Sequence, residues 1–514
     1  MRSGSLFAPT VFGLTVFALK FACGPAAGRW MDGAERMHVI KTGILWQTIG
    51  VLGALCVFGL LLAFAPPSKH SEGLPWPLLI AMITCGVAEA LGALISSVAV
   101  KKDWVPAIWS PTDPTLTAVN ENMATIDLVA EILGPLAAGT ALQFTDSSTG
   151  FVIIGLVNIL SFGLEMLLLR SVYLSNAQLS QPKPVREDGS GGPQKSQLAE
   201  LQAAWSVFFS HPSGIPLLVI SYSLLYFTVL SPHGVVLTAY LQTRDVSPPA
   251  LAAFRAAGAA SGVLGIRVFR MLADSQLGLR RLASLHLWLL AIAVLIAAYS
   301  FYGTHKKAAS PSSSPSDDSN TDLLQQHGLT PHMISFLGMV VLSRFGLYGF
   351  DLAVLQLQQV HVDETHRNSV GSIESSLCSL GTASIFVATL LTSTSDVHSF
   401  DGLVYGSACF VSSAAVVYTL WCCFYHEHVH THPLFLPADG VKEGDGAMPG
   451  AVHKHTSQQL RSLEQSGAAR THIHLHFHPP CGAAAEHVKD MDAHTHHGHS
   501  HAHGHSHAHG DGHA

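Results

Sequence analysis

Carboxylates and an amide lie where an apolar sequence has no evident use for them. Asp127 and Glu131 stand four residues apart in IDLVAEILGPLAAG, on one helical face, and Asn158 and Glu165, seven apart in NILSFGLE, share another. Glu89 adds a further acid. Ionisable groups inside long apolar runs are costly and are functional candidates by default. Carboxylate and amide oxygens suit a divalent cation because they offset its dehydration; an anionic substrate would need basic side chains at depth, which this half lacks. The alternative for each acid is a place near a helix end, hydrated or bonded to backbone.

The second half carries a different set. Arg344 and Asp351, seven apart in SRFGLYGFDLAVLQL, read as an ion pair holding the bundle in preference to a substrate contact. In VLSPHGVVLTAY, Pro232 and Gly234 loosen the middle of an apolar run and free carbonyls around His233; a site and a core imidazole beside a proline kink both fit. Glu374 and Cys378, four apart, would offer a carboxylate and a thiol to one cavity, or simply pack. Gly258 and Gly262 in RAAGAASG allow close helix approach. Gly28, Asp32 and Arg36, in GRWMDGAER, have the types of a gate, with a Gly for close contact and charges able to clamp neighbouring helix ends.

From His426 onward the chain is of low complexity, holds 21 of the 32 His, and is expected to be disordered. His472, His474, His476 and His478 alternate in THIHLHFH, and His494, His496, His497, His499, His501, His503, His505, His507, His509 and His513 crowd the end. Such imidazoles share a borderline metal ion without a fixed cage, and bind it less well in acid as protons compete.

The elements that must position these groups are membrane helices. Of 514 residues 48% are hydrophobic and only 12% charged, and the mean hydropathy is +0.34 despite the polar tail. A net charge of −7 gives no basic face for nucleic acid. The eight Cys show no extracellular disulfide framework and read as small buried hydrophobes. Apolar runs predict spans near 5–27, 43–65, 75–100, 150–172, 214–242, 248–270, 281–303, 332–358, 368–392 and 402–425, with 124–144 as an eleventh. Alternate loops hold fourteen Lys and Arg against four in the others, which puts the basic set and the tail in the cytosol. Residues 1–172 form a first lobe of about five spans, 173–213 a cytosolic linker, 214–426 a second lobe of six spans with an external Ser/Pro-rich loop at 304–330, and 427–514 the tail. An all-α polytopic membrane protein follows, with the bilayer as partner and a monomer expected.

The segments GPAAGRWMDGAERMHVIKT, VAVKKDWVPAIW, NENMATIDLVAEILGPLAAG, GLVNILSFGLEMLLL, LLYFTVLSPHGVVLTAYLQ and SRFGLYGFDLAVLQLQQVHVDETHRNSVGSIESSL together resemble the ferroportin family of iron exporters, in family order over about 8–426. KKDW and the later ID…EI.GP..AG are most similar to its plant and algal branch. The resemblance implies a major-facilitator-like fold of twelve spans in two lobes, cytosolic termini and alternating access to a central cavity. Asp127 falls at the family's fifth-helix metal-site Asp and Asn158 at the sixth-helix Asn beside it. Residues 5–27 look like the second helix, so the first, with its own carboxylate, would be lacking, which accounts for the odd count. Gly234 and Ile385 fall where animal members have a ligating Cys and His; His233, one position earlier, is the substitute offered. Without that Cys, control by a peptide hormone is not expected.

The function expected is therefore secondary transport, not enzymatic catalysis, and no cofactor. The cargo is a divalent transition metal, Fe2+ foremost and Co2+ or Ni2+ within reach, exported from the cytosol across the plasma membrane or an organellar membrane. The alternative is a metal-sensing or scaffolding membrane protein whose transporter-like body anchors the His-rich tail. A zinc transporter of another type would need paired His and Asp at four-residue spacing within spans, and none is found.

Overall fold

Two aspartates start the paired helices that carry Asp127 and Asn158. Asp113 accepts a hydrogen bond from the Thr115 amide at 2.8 Å, with Pro114 just inside the helix, and Asp146 accepts from the Thr149 amide at 3.0 Å. Each carboxylate satisfies an amide that the first turn leaves open.

The computed structural model describes residues 7–64, 76–110, 113–184, 197–232, 234–244, 246–273, 277–308, 331–392, 399–425, 427–433 and 471–477. Its first unit, Met1–Cys422, is helical. The first half comprises α1 (Phe7–Gly33), α2 (Arg36–Phe64), α3 (Trp76–Val98), a π-helical turn (Ala99–Trp104), the short α4 (Val105–Ile108), α5 (Pro114–Phe144) and α6 (Ser147–Ser175). Short α7 (Ala177–Ser180) and α8 (Gln197–Phe209) lead to the second half. That half holds α9 (Ile215–Leu224), α10 (Val235–Thr243), α11 (Pro248–Ala273), α12 (Leu279–Ala308), α13 (Pro331–His361), α14 (Arg367–Thr392) and α15 (Ser399–Phe424). Among the described residues, ten helices are long and apolar enough to cross a membrane. The run 214–242 is not one helix but α9 and α10 with irregular backbone between them.

That break obeys the rule that no backbone group in hydrocarbon goes unmet. Pro232 has no N–H to give. The Val229 amide donates to Ser407 Oγ at 3.0 Å, the Leu230 amide to Thr228 Oγ1 at 3.1 Å, and the Leu230 carbonyl accepts from Arg344.

Three expectations change here. The span predicted at 124–144 begins ten residues earlier, because Asp113 supplies the cap. Residues 304–308, assigned to the Ser/Pro-rich loop, end α12, and the rest of that loop, 309–330, lies outside the described residues. None of the seven described Cys forms a disulfide, but only Cys378 is buried, whereas Cys23, Cys56, Cys409 and Cys423 are exposed; a thiol needs no protein cover where lipid supplies it.

The second unit is Cys423–Ala514, and the sequence from His426 onward predicts no fold there. It carries two antiparallel strands, β1 (Glu427–Pro433) and β2 (Thr471–Phe477), whose register sets His428 opposite His476, His430 opposite His474 and His432 opposite His472. His478 and the His from 494 to 513 lie outside the described residues.

Candidate transport site and gate

Between the halves lie two connected cavities. The larger, about 600 Å3, is lined by Glu131, Thr228, Ser231, Arg344, Tyr348 and Asp351 among others. The smaller, about 390 Å3, is lined by Lys20, Lys101, Lys102, Asp351, Glu374 and Cys378 among others. Phe17, Tyr222, Tyr226, Asp351 and Thr382 line both, so Asp351 stands at the junction. Tyr222 donates to Asp351 Oδ1 at 2.5 Å, and the buried Cys378 thiol lies 3.8 Å from Ser223 Oγ.

Beyond the smaller cavity the halves are sewn together. Arg36 Nε lies 3.0 Å from Asp103 Oδ1, both side chains only 2% exposed, and its other nitrogens donate to the Gln181 carbonyl at 3.0 Å and to Glu364 of the opposite half. Lys183 adds a second cation to Asp103 at 2.8 Å. Asp32 accepts the amides of Asn368 and Ser369, each at 3.0 Å, and so places a carboxylate on the N-terminus of α14, where the open amides and the helix dipole favour an anion. Lys102 Nζ reaches Gln358 Oε1 at 2.7 Å and Glu374 Oε1 at 3.2 Å. Asn120 Nδ2 donates to Gln359 Oε1 at 2.7 Å, while Gln359 Nε2 donates to the Lys101 carbonyl at 2.8 Å. Buried Glu121 meets Arg267 at 2.9 Å and Arg270 at 2.5 Å. Gly28 is where α1 touches α14: a Cβ there would stand 2.6 Å from Ser372 Cβ and 2.7 Å from the Asn368 carbonyl.

The remaining sequence-derived residues are distributed unevenly. Asp127 is 56% exposed and paired with Lys101 at 2.6 Å, one turn from Glu131 on α5. Asn158 is half-buried, and its Oδ1 is enclosed without a hydrogen-bond partner among the described residues. Neither lines the two cavities; Asp127 joins the rim of the smaller one through Lys101. Glu165 is exposed and lines neither, and Glu89 is half-buried on α3. Glu374 and Cys378 share the smaller cavity, with Glu374 engaged by Lys102 and Gln358. His233 lies outside the described residues. Gly234 and Ile385 both line the larger cavity and bring no ligating atom to it.

The Arg344–Asp351 ion pair is a correction: the guanidinium turns to the Leu230 carbonyl and the carboxylate to Tyr222, because two full turns separate them and nearer partners exist. Gly258 and Gly262 do pack closely, against Pro232 and Tyr348. Sequence reasoning missed Lys20, Asn120, Glu121, Gln358, Gln359 and the π-helical turn. The run of amides in QLQQ at the end of a span was the available signal. Among the described residues no three His, Cys, Asp or Glu converge tightly enough to hold a metal ion.

A helical bundle in two halves, sealed at one end beneath a polar cavity, defines a major-facilitator-like membrane transporter. The xylose symporter XylE, 14% identical with a TM-score of 0.50, shares that fold. The family model described as Ferroportin1 (FPN1) matches residues 2–411, and the chain belongs to the ferroportin family. Ferreportin of Bdellovibrio bacteriovorus is 30% identical over 81% of this chain and 87% of its own. Solute carrier family 40 member 1 of Oryza sativa subsp. japonica is 25% identical over 84% and 87%, and human ferroportin 24% over 81% and 85%. A crystal structure of a bacterial homologue of the iron transporter ferroportin in an outward-facing state, 29% identical, aligns over 82% of this chain and 91% of its own with a TM-score of 0.65. An inward-facing state of such a homologue reaches 0.53 over 81% and 90%.

Proposed function

We propose that the protein exports a divalent transition metal ion, Fe2+ foremost, from the cytosol by alternating access of its two halves. The observation that carries this reading is the sealed end: cross-half contacts through Asp32, Arg36, Lys102 and Gln359 close one mouth of a cavity whose walls offer carboxylate, hydroxyl and thiol groups. Greater likeness to an outward-facing relative than to an inward-facing one supports taking this as the state open to the far side. The sealed end carries Arg36, Lys101, Lys102, Lys183, Arg267 and Arg270, and a cytosolic position for it agrees with the usual excess of Lys and Arg on that face.

Asp127 and Asn158 supply the oxygen ligands on the first half. The open Oδ1 of Asn158 is a buried acceptor that a cation would satisfy. Asp351, Cys378 and the Tyr222 hydroxyl line the path on the second half. Acid and amide oxygens discriminate weakly among Fe2+, Co2+ and Ni2+, so all three pass to some degree. The test is flux of Fe2+ and Co2+ into liposomes holding the full chain. Asp127→Ala should cut initial rates by about tenfold or more, since even losing a group that only orients a metal ligand costs that much. Unchanged rates would remove Asp127 from the transport path.

A further inference from the structure

Lys101 holds two grips at once. Its carbonyl accepts Gln359 Nε2 of the opposite half at 2.8 Å, as part of the seal, and its ammonium stands 2.6 Å from Asp127 Oδ2, where a bound cation would sit. Asn120, two turns before Asp127 on the same helix, holds the same Gln359 at 2.7 Å. Lys101 also belongs to the π-helical turn Ala99–Trp104, and such turns recur at functional sites and can adjust without unwinding a helix.

We propose that Lys101 is a tethered cation that displaces the transported ion from Asp127 when the sealed end closes. The inference rests on the function proposed above and adds a release step to it. With the end closed, Gln359 fixes the Lys101 backbone so that its ammonium reaches Asp127. The carboxylate is then neutralised by the protein's own charge, and a metal ion arriving between the halves is given up to the open side. With the end open, Gln359 no longer holds the carbonyl, the π-helical turn is free to shift, and Asp127 is released for the next ion. The empty carrier thereby returns with its carboxylate already paired and needs no second cargo to compensate it. Lys20, which lines the same cavity, has Cys378 and Glu89 as its electrostatic neighbours, not Asp127, and is not part of the switch.

The test uses the full chain in nanodiscs and liposomes with Co2+ as probe. A half-exposed ion pair is a modest competitor, so Lys101→Met should bind Co2+ about fivefold more tightly, with KM falling and kcat falling with it because release slows. Lys101→Arg, which keeps the charge, should restore both values. Asp127→Asn should weaken binding, and the double variant Lys101→Met/Asp127→Asn should match it, because the lysine acts only through that carboxylate. Lys101→Gln gives a second charge-free variant should Lys101→Met fold poorly. Unchanged or weaker Co2+ binding in folded charge-free variants, with Asp127→Asn still impaired, overturns the displacement role and leaves the transport reading intact. Full flux in Asp127→Asn overturns both.

Discussion

The sealed end and the cavity above it use the same residue types to opposite ends. At the seal nearly every charge has met its partner: Asp103 takes both Arg36 and Lys183, Asp32 takes two amides, and Glu121 takes two arginines. Unbonded polar atoms occur in both regions among the described residues: Asn368 Oδ1, Ser372 Oγ and Trp104 Nε1 at the seal, Asn158 Oδ1 and Arg344 Nε in the membrane interior. An enclosed amide oxygen such as Asn158 Oδ1 is an acceptor that a cation can satisfy, whereas Arg344 Nε is a donor that it cannot. What separates the two regions is the cross-half charge pairing at the seal, against an acceptor oxygen kept open in the interior.

The comparison breaks most visibly at Arg36. Removing one member of a buried pair strands the other, so Arg36→Ala should lower stability by about 3–5 kcal/mol, seen as a lower thermal midpoint in detergent, and flux should fall with it. Gly28→Val tests closure without touching a charge. Its new atoms meet Ser372 and the Asn368 carbonyl, and overpacking of about 1–3 kcal/mol should hold the seal ajar. A cysteine placed among the seal residues should then react faster with an aqueous thiol reagent; an unchanged rate would mean that α1 and α14 part without cost.

The smallest effect sharpens the comparison. Burial pushes the His211 imidazole below its ordinary value against the pull of Asp363, with His366 and His361 adding to the fall. The folded state then favours neutral His211, whose Nδ1 faces Ser213 Oγ at 2.7 Å. The stability this gives is complete above about pH 6.5 and declines as pH drops through that value toward the depressed one. Between pH 7.5 and 5.5 the thermal midpoint should fall less in His211→Gln than in the parent; equal falls would exclude His211.

Most of the scaffold was legible because lipid imposes length and apolarity on each span, and the eleven predicted runs all contain described helix. The break near Pro232 could be read from residue chemistry. The seal was legible only in part: Gly28, Asp32 and Arg36 stood out on one helix end, but their partners Asn368, Glu364 and Asp103 are separated from them by up to 336 residues. Hydrogen bonds of that reach leave no periodic trace. Arg344 and Asp351 misled for the converse reason, since seven residues on a helix suggest a shared face without guaranteeing contact. Lys101 reads in the sequence only as a topological charge, and neither its contact with Asp127 nor the π-helical turn that carries it is announced by composition.

The latch between Arg344 and the Leu230 carbonyl has one more consequence. A guanidinium keeps its proton under any physiological acidity. The notch between α9 and α10 is thus stapled by a group that keeps its charge, and its shape should be the same in an acidic organelle as at a neutral cell surface. Whatever sensitivity to acid the carrier has must originate in its carboxylates and imidazoles, while the bend beside them keeps time for neither compartment.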